Sequence, residues 1–145
     1  MLFTKAGEYG LFGLMYLAGK PNGKVTRLAD ISKAQKVPEK FLAKIFQVLV
    51  RKGFVHSHRG TKGGFSLARP AHTMTLGEIL TAVQGPLAVA ECFRPGHDCA
   101  LYNDCNIRVA LEGVQEQLNR SLARFTLADL VPRGSAAVAV GTRKG

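Results

Sequence analysis

Apolar positions recur along this chain at two different periods, and the changes of period mark out its elements. Residues 4–19 read as a helix that is apolar on more than one face, through Tyr9, Leu11, Phe12, Leu14, Met15 and Leu17. Such a helix is expected to lie between other elements. Pro21-Asn22-Gly23-Lys24 is a turn. Thr26 is placed as the N-cap of a second helix reaching about residue 34, with Asp30 in its first turn. Gln35-Lys36-Val37 turns the chain again. Pro38 then opens a third helix, where its missing N–H costs nothing. In that helix Phe41, Leu42, Ile45, Phe46 and Leu49 share one face, and Lys40, Lys44, Gln47 and Arg51 the opposite one.

After Gly53, which caps this helix, the apolar period falls to two. Residues 54–58 and 64–68 read as alternating strands around a glycine-rich basic tip, Arg59-Gly60-Thr61-Lys62-Gly63. Two short helices, a tight turn and then a hairpin are the order of a winged helix. Thr75-Leu76-Gly77-Glu78 is a capping box opening a helix to about residue 83. From residue 106 to 124 runs a long amphipathic helix whose apolar positions are Ile107, Leu111, Val114, Leu118 and Leu122. Little of the chain is left for it to pack on, so pairing with a second copy is the expected use; packing on the first helix is the other. Thr126 caps a last short turn. The expected fold is mainly α with a small β-hairpin: a winged helix-turn-helix domain plus a long C-terminal dimerisation helix.

Charge sharpens the picture. Residues 1–75 carry 13 Lys and Arg against 3 Asp and Glu, whereas residues 76–145 carry 7 of each. A basic half joined to a neutral half suits a polyanion binder joined to a control element. The expected DNA contacts are Pro38, Glu39, Lys40 and Lys44 at the start of the third helix, with Arg59, Gly60, Lys62 and Gly63 at the wing tip. Glycines there let the backbone approach a phosphate closely. No apolar run reaches the ~20 residues of a membrane span. No signal peptide is apparent, and three cysteines without an export signal point to the cytoplasm.

The candidate chemistry is confined to one stretch. Cys92, Cys99 and Cys105, all the cysteines of the chain, are spaced Cys-x6-Cys-x5-Cys, with Pro95 and Gly96 breaking any regular structure between the first two. Three soft thiolates on one loop suit an iron–sulfur cluster or zinc. Zinc motifs usually pair their cysteines as Cys-x2-Cys, which is absent here. A disulfide with one free thiol is a further reading, as is a thiol enzyme using Cys99 beside His97, although no Cys-x2-Cys motif supports redox catalysis.

Taken together, these residues resemble the bacterial winged-helix repressors of the IscR/NsrR type, a group that also includes the rhizobial iron regulator. The resemblance covers residues 1–131. It rests on Leu2-Phe3-Thr4-Lys5, Val37-Pro38, Arg59-Gly60-x-x-Gly63-Gly64, the three-cysteine loop and Thr126-Leu127-Ala128-Asp129-Leu130-Val131. It implies a homodimer with crossing C-terminal helices, each subunit entering a palindromic DNA operator. It implies an iron–sulfur cluster on Cys92, Cys99 and Cys105. One branch adds a His three residues after the last cysteine; that position is Arg108 here. Another adds a carboxylate early in the first helix of the partner subunit, where this chain has Glu8; His97 is a weaker candidate. These departures favour a 4Fe–4S form over 2Fe–2S. A carboxylate that helps select DNA sites in the assembly-regulator branch is replaced by Ala43, so no operator is transferred.

The resulting division is 1–84 DNA-binding domain, 85–105 cysteine loop, 106–130 dimerisation helix and cap, and 131–145 a disordered tail or an expression remnant. The last follows from Leu130-Val131-Pro132-Arg133-Gly134-Ser135, which matches a thrombin cleavage site. The function expected is a cluster-controlled DNA-binding repressor; the alternative is a winged-helix regulator with a zinc or thiol/disulfide switch on the same loop. An enzyme is the remote reading.

Overall fold

A computed structural model describes residues 3–131. The expectation for the tail beyond Val131 lies outside the described residues. Helix α1, Lys5–Ala18, starts at Thr4, whose Oγ1 accepts from the Gly7 N–H at 3.0 Å. Gly7, Gly10 and Gly13 are buried on one side of it. A Cβ at Gly10 would meet Val83 and Ile45, and one at Gly13 would lie 2.5 Å from the Phe46 ring. This stripe of small residues is what lets two other helices close in on α1.

Helix α2 spans Leu28–Gln35 and helix α3 Glu39–Arg51. The turn between them sets Lys36 in the left-handed conformation, φ 56°. Thr26 does not cap α2; the residue before the helix is Arg27, which pairs with Asp30 at 3.3 Å. Thr26 is instead buried and pairs with Phe65 through two backbone hydrogen bonds of 2.8 Å. An extended β-branched residue satisfies either role, and the reciprocal backbone pair wins. In α3, Leu42, Ile45, Phe46 and Leu49 are buried. Phe41, expected on that face, is 57% exposed. It sits about 100° around the helix from the centre of the buried stripe, on the flank toward Lys44.

Lys52 ends α3 and Gly53 follows with φ 84°. Strands β1, Val55–His58, and β2, Gly64–Leu67, pair antiparallel with Val55 opposite Leu67 and His58 opposite Gly64. Helix α4, Leu76–Gln84, begins with the expected capping box: the Glu78 N–H donates to Thr75 Oγ1 at 3.1 Å and the Thr75 N–H to Glu78 Oε2 at 3.0 Å. Arg69 bonds the same carboxylate at 3.2 Å.

Helix α5 covers Asn106–Arg124. Its main partner within the chain is α4, not α1. Leu122 is buried with Leu80 and Leu87, Leu118 packs against that group, and α1 adds only Leu11 at the edge. Beyond α5 the chain returns to the main core, where Leu127 is fully buried and its N–H reaches Met74 O at 2.8 Å. Among the described residues no helix is long and apolar enough to cross a membrane.

Candidate nucleic-acid interface and cysteine loop

Pro38, Glu39, Lys40 and Lys44 are all exposed at the start of α3. Phe41, which sequence reasoning assigned to the core, stands among them. It lines a largely apolar cleft with Tyr9, Ala6 and Ile45, flanked by Lys5 and Lys44. At the hairpin, Arg59, Gly60 and Lys62 are exposed, with Gly60 at φ 103°, a conformation open to glycine. The Gly63 N–H closes the tip onto Gly60 O at 3.0 Å, and a Cβ at Gly63 would collide with His58 O.

Two ties hold this wing to the body. Phe65 pairs with Thr26 through the backbone. Its ring meets Phe46 of α3 edge to face. Within the wing itself, His58 Nε2 and Ser66 Oγ lie 2.8 Å apart and bridge its two strands. The helix and the basic tip therefore share one core rather than moving as separate parts.

The cysteine loop leaves α4 at Gly85, φ 88°, a conformation that glycine adopts without penalty. Cys92 lies in a short 3-10 turn, Glu91–Phe93, Cys99 in a later turn, and Cys105 directly before α5. All three are half-buried and free of disulfides. Between residues 90 and 104 the backbone hydrogen bonds are local turns spanning three residues. Among the described residues no three His, Cys, Asp or Glu side chains are grouped closely enough to hold a metal ion, so the thiols share a loop without converging. Glu8 sits half-buried in the first turn of α1, 3.7 Å from Lys5, and His97 is exposed on the loop. The donor set itself fits an iron–sulfur cluster: three soft thiolates on a backbone restrained by local turns.

Two polar side chains of α5 reach this loop, and sequence reasoning missed both roles. Gln115 accepts from the Val89 N–H at 2.9 Å and donates to Leu87 O at 2.8 Å. Arg108 lies with its guanidinium carbon 4.0 Å from the Tyr102 ring centroid, donates to the Tyr102 hydroxyl at 2.9 Å and pairs with Glu112 at 3.3 Å.

The helical apolar stripe of α5 splits in two. Leu122 is buried inside its own chain with Leu80 and Leu87, and Leu118 is partly buried against them. Ile107, at 71% exposure, and Val114, at 49%, remain open, with Leu111 intermediate.

A recognition helix, a basic glycine-tipped wing and one shared core define a winged helix-turn-helix DNA-binding protein. The chain belongs to the Rrf2 family, described as iron-dependent transcriptional regulators, whose profile matches residues 3–133. It is thus a transcriptional regulator rather than an enzyme, and its fold is the winged-helix one expected. It is 39% identical over 133 residues to protein aau3 of Rhizobium meliloti (strain 1021), covering 90% of this chain and 85% of that protein. CymR, the global cysteine regulator of B. subtilis, superposes with a TM-score of 0.75 at 25% identity, over 90% of this chain and 95% of that one. IscR of T. potens shares the fold with a TM-score of 0.71 at 24% identity, over 100% of this chain and 93% of that one.

Proposed function

We propose that the chain is a cytoplasmic homodimeric repressor whose affinity for double-stranded DNA is set by an iron–sulfur cluster on Cys92, Cys99 and Cys105. Glu8 of the partner subunit is the fourth ligand. The observation that carries this reading is that every thiol of the chain is free and lies on the one loop joining the DNA-binding body to α5. The family's iron-dependent description supports it. A 4Fe–4S form is preferred over 2Fe–2S, because three thiolates and one weak oxygen ligand suit a cubane with one labile iron. When bound, the cluster supplies an iron centre sensitive to oxidants, nitric oxide and iron shortage.

The chain's own residues do the rest. Pro38, Glu39, Lys40 and Lys44 present α3 to the major groove, and Arg59, Gly60, Lys62 and Gly63 present the wing to phosphate or the minor groove. Residues 1–84 form the DNA-binding domain, 85–105 the sensing loop, and 106–130 the dimerisation helix and cap. A dimer of this kind reads a palindromic operator with half-sites ~34–36 Å apart, or a multiple of that. Two states of the loop bias DNA affinity through a coupling energy of typically ~1–3 kcal/mol.

The test is anaerobic reconstitution with iron and sulfide, followed by metal counting and visible absorption. The intact chain should gain a coloured cluster, and each single Cys→Ala variant should lose it. Glu8→Ala should still assemble the cluster but react faster with oxygen or nitric oxide. Full iron and sulfide retention in the cysteine variants would sink the assignment.

The second reading is a zinc or thiol/disulfide switch at the same loop. It is favoured by the likeness to CymR, described as a cysteine regulator. Zinc is colourless, and a disulfide lowers the mass by about two hydrogens while leaving DNA binding responsive to oxidant alone. Those outcomes without a visible band would select it.

A further inference from the structure

Among the described residues, the side-chain hydrogen bonds and the ring contact that tie the cysteine loop to the rest of the molecule come from one helix, α5. At the stem, the single amide of Gln115 serves both polar groups of the backbone, accepting from Val89 N–H and donating to Leu87 O. Asn119 Oδ1, at 3.1 Å from Gln115 Nε2, holds that amide in its orientation. Leu87 is buried beside Leu80 and Leu122, so the stem is both packed and hydrogen-bonded. At the far end, Arg108 stacks on Tyr102 and bonds its hydroxyl, while Glu112 fixes the guanidinium. Tyr102 lies between Cys99 and Cys105. Between these two points the backbone is held by local turns.

Arg108 and Gln115 are seven residues apart, about two helical turns, so they project from the same side of α5. Neither would be chosen by sequence pattern, since an Arg and a Gln on an amphipathic helix read as solvated. Yet the Arg108 side chain is only 21% exposed and its Nε is buried without a partner. Holding a guanidinium there forgoes hydration, which the stack on Tyr102 and the pair with Glu112 offset.

We infer that Gln115 and Arg108 are positioning residues that hang the cysteine loop on α5, one at each end, so that α5 sets where the thiols lie. The geometry is independent of what the thiols hold; its regulatory meaning rests on the reading above. A change at Cys92, Cys99 or Cys105 is then passed first to α5, the dimerisation element, and through it to the spacing of the two recognition helices.

The experiment uses the full-length reduced protein. Amide exchange at Val89 and iodoacetamide alkylation of each cysteine are followed by peptide mass spectrometry. Gln115→Ala should speed Val89 exchange by about tenfold or more and Cys92 alkylation severalfold. Gln115→Glu keeps an acceptor for Val89 but sets a carboxylate oxygen against the Leu87 carbonyl, so it too should speed Val89 exchange. Arg108→Lys keeps the charge but loses the stack and the fork, and should speed alkylation of Cys99 more than Cys92. Amides of Leu42 and Phe46 report whether the fold is intact. Exchange and alkylation within about twofold of wild type, in folded variants, would overturn the inference. If the rates shift as expected while iron, sulfide and oxidant leave wild-type DNA affinity unchanged, the proposed function fails and the positioning role stands. If DNA affinity responds in the wild type and equally in variants with unshifted rates, the positioning role fails and the function stands.

Discussion

Phe46 on the recognition helix and Phe65 on the second wing strand meet edge to face, ring centroids 4.9 Å apart with planes at 74°. Phe46 is fully buried, and Gly13 of α1 leaves the space its ring occupies. The backbone of Phe65 is fixed by Thr26, so its ring transmits the position of the core to the wing. Such a pair is worth ~0.5–1.5 kcal/mol beyond its buried area. Phe65→Leu is expected to cost about 1–2 kcal/mol in urea unfolding. It should also lower DNA affinity severalfold, because a wing free to wander loses contacts. Reduced stability with unchanged affinity, measured by fluorescence anisotropy, would separate the wing from this tie.

The wing tip itself makes a different prediction. Arg59 and Lys62 are exposed and touch no acidic group in an ion pair among the described residues. Arg59→Ala or Lys62→Ala should leave stability unchanged and weaken binding to all sequences alike. Each should reduce the slope of log affinity against log salt by about one. Titrations at several salt concentrations on specific and random duplexes check this; an unchanged slope removes the wing from the interface.

Local signals were read well from the sequence. Thr4, the Thr75–Glu78 box, the hairpin around Gly60 and the span of α5 are all settled by residues within a few positions of one another. What depends on distant partners was not legible. Thr26 has the chemistry of a cap, but Phe65, far along the chain, supplies a better backbone partner. Phe41 is apolar and adjacent to the buried stripe, yet a 100° step carries it outside. Gly7, Gly10 and Gly13 recur every three residues, a signal that was available and that marks close helix packing. The role of Gln115 left no such trace. Its partners are backbone groups of Leu87 and Val89, which carry no side-chain signature. That the thiols share a loop without converging is likewise not written in their spacing.

The capping box of α4 carries a pH dependence. The Thr75 N–H bonded to its carboxylate, aided by Arg69, holds the Glu78 carboxyl below its usual pKa, against a smaller opposing effect of burial. The unfolded chain therefore binds this proton more readily than the native one. Stability from Glu78 is complete above the ordinary Glu pKa of about 4.3 and is lost as pH falls through the lower native value. Glu78→Gln should be less stable than wild type at pH 7, and the gap should close toward pH 3. Urea midpoints at both values check it; a gap that widens on acidification would contradict the sign.

The division of the α5 stripe yields the last prediction. Ile107 and Val114 lie seven residues apart on one side of the helix and are largely solvent-exposed in the single chain. Leu122, on the same stripe, is 7% exposed and packed on Leu80 and Leu87. The two parts should respond differently to mutation. Val114→Asp places a charge where a second α5 is expected, and burying it unpaired costs several kcal/mol. The variant should sediment as a folded monomer, bind half-sites only, and keep the packing of α4 on α5. Leu122→Ala instead opens a cavity inside the chain and should cost about 2–5 kcal/mol of stability. At concentrations where it remains folded it should still dimerise. Leu118 touches the Leu80 group as well as the stripe, so a charge there would confound the two effects. Sedimentation equilibrium on both variants, read against urea unfolding, distinguishes them. A dimeric Val114→Asp would place the partner contact somewhere other than this face of α5.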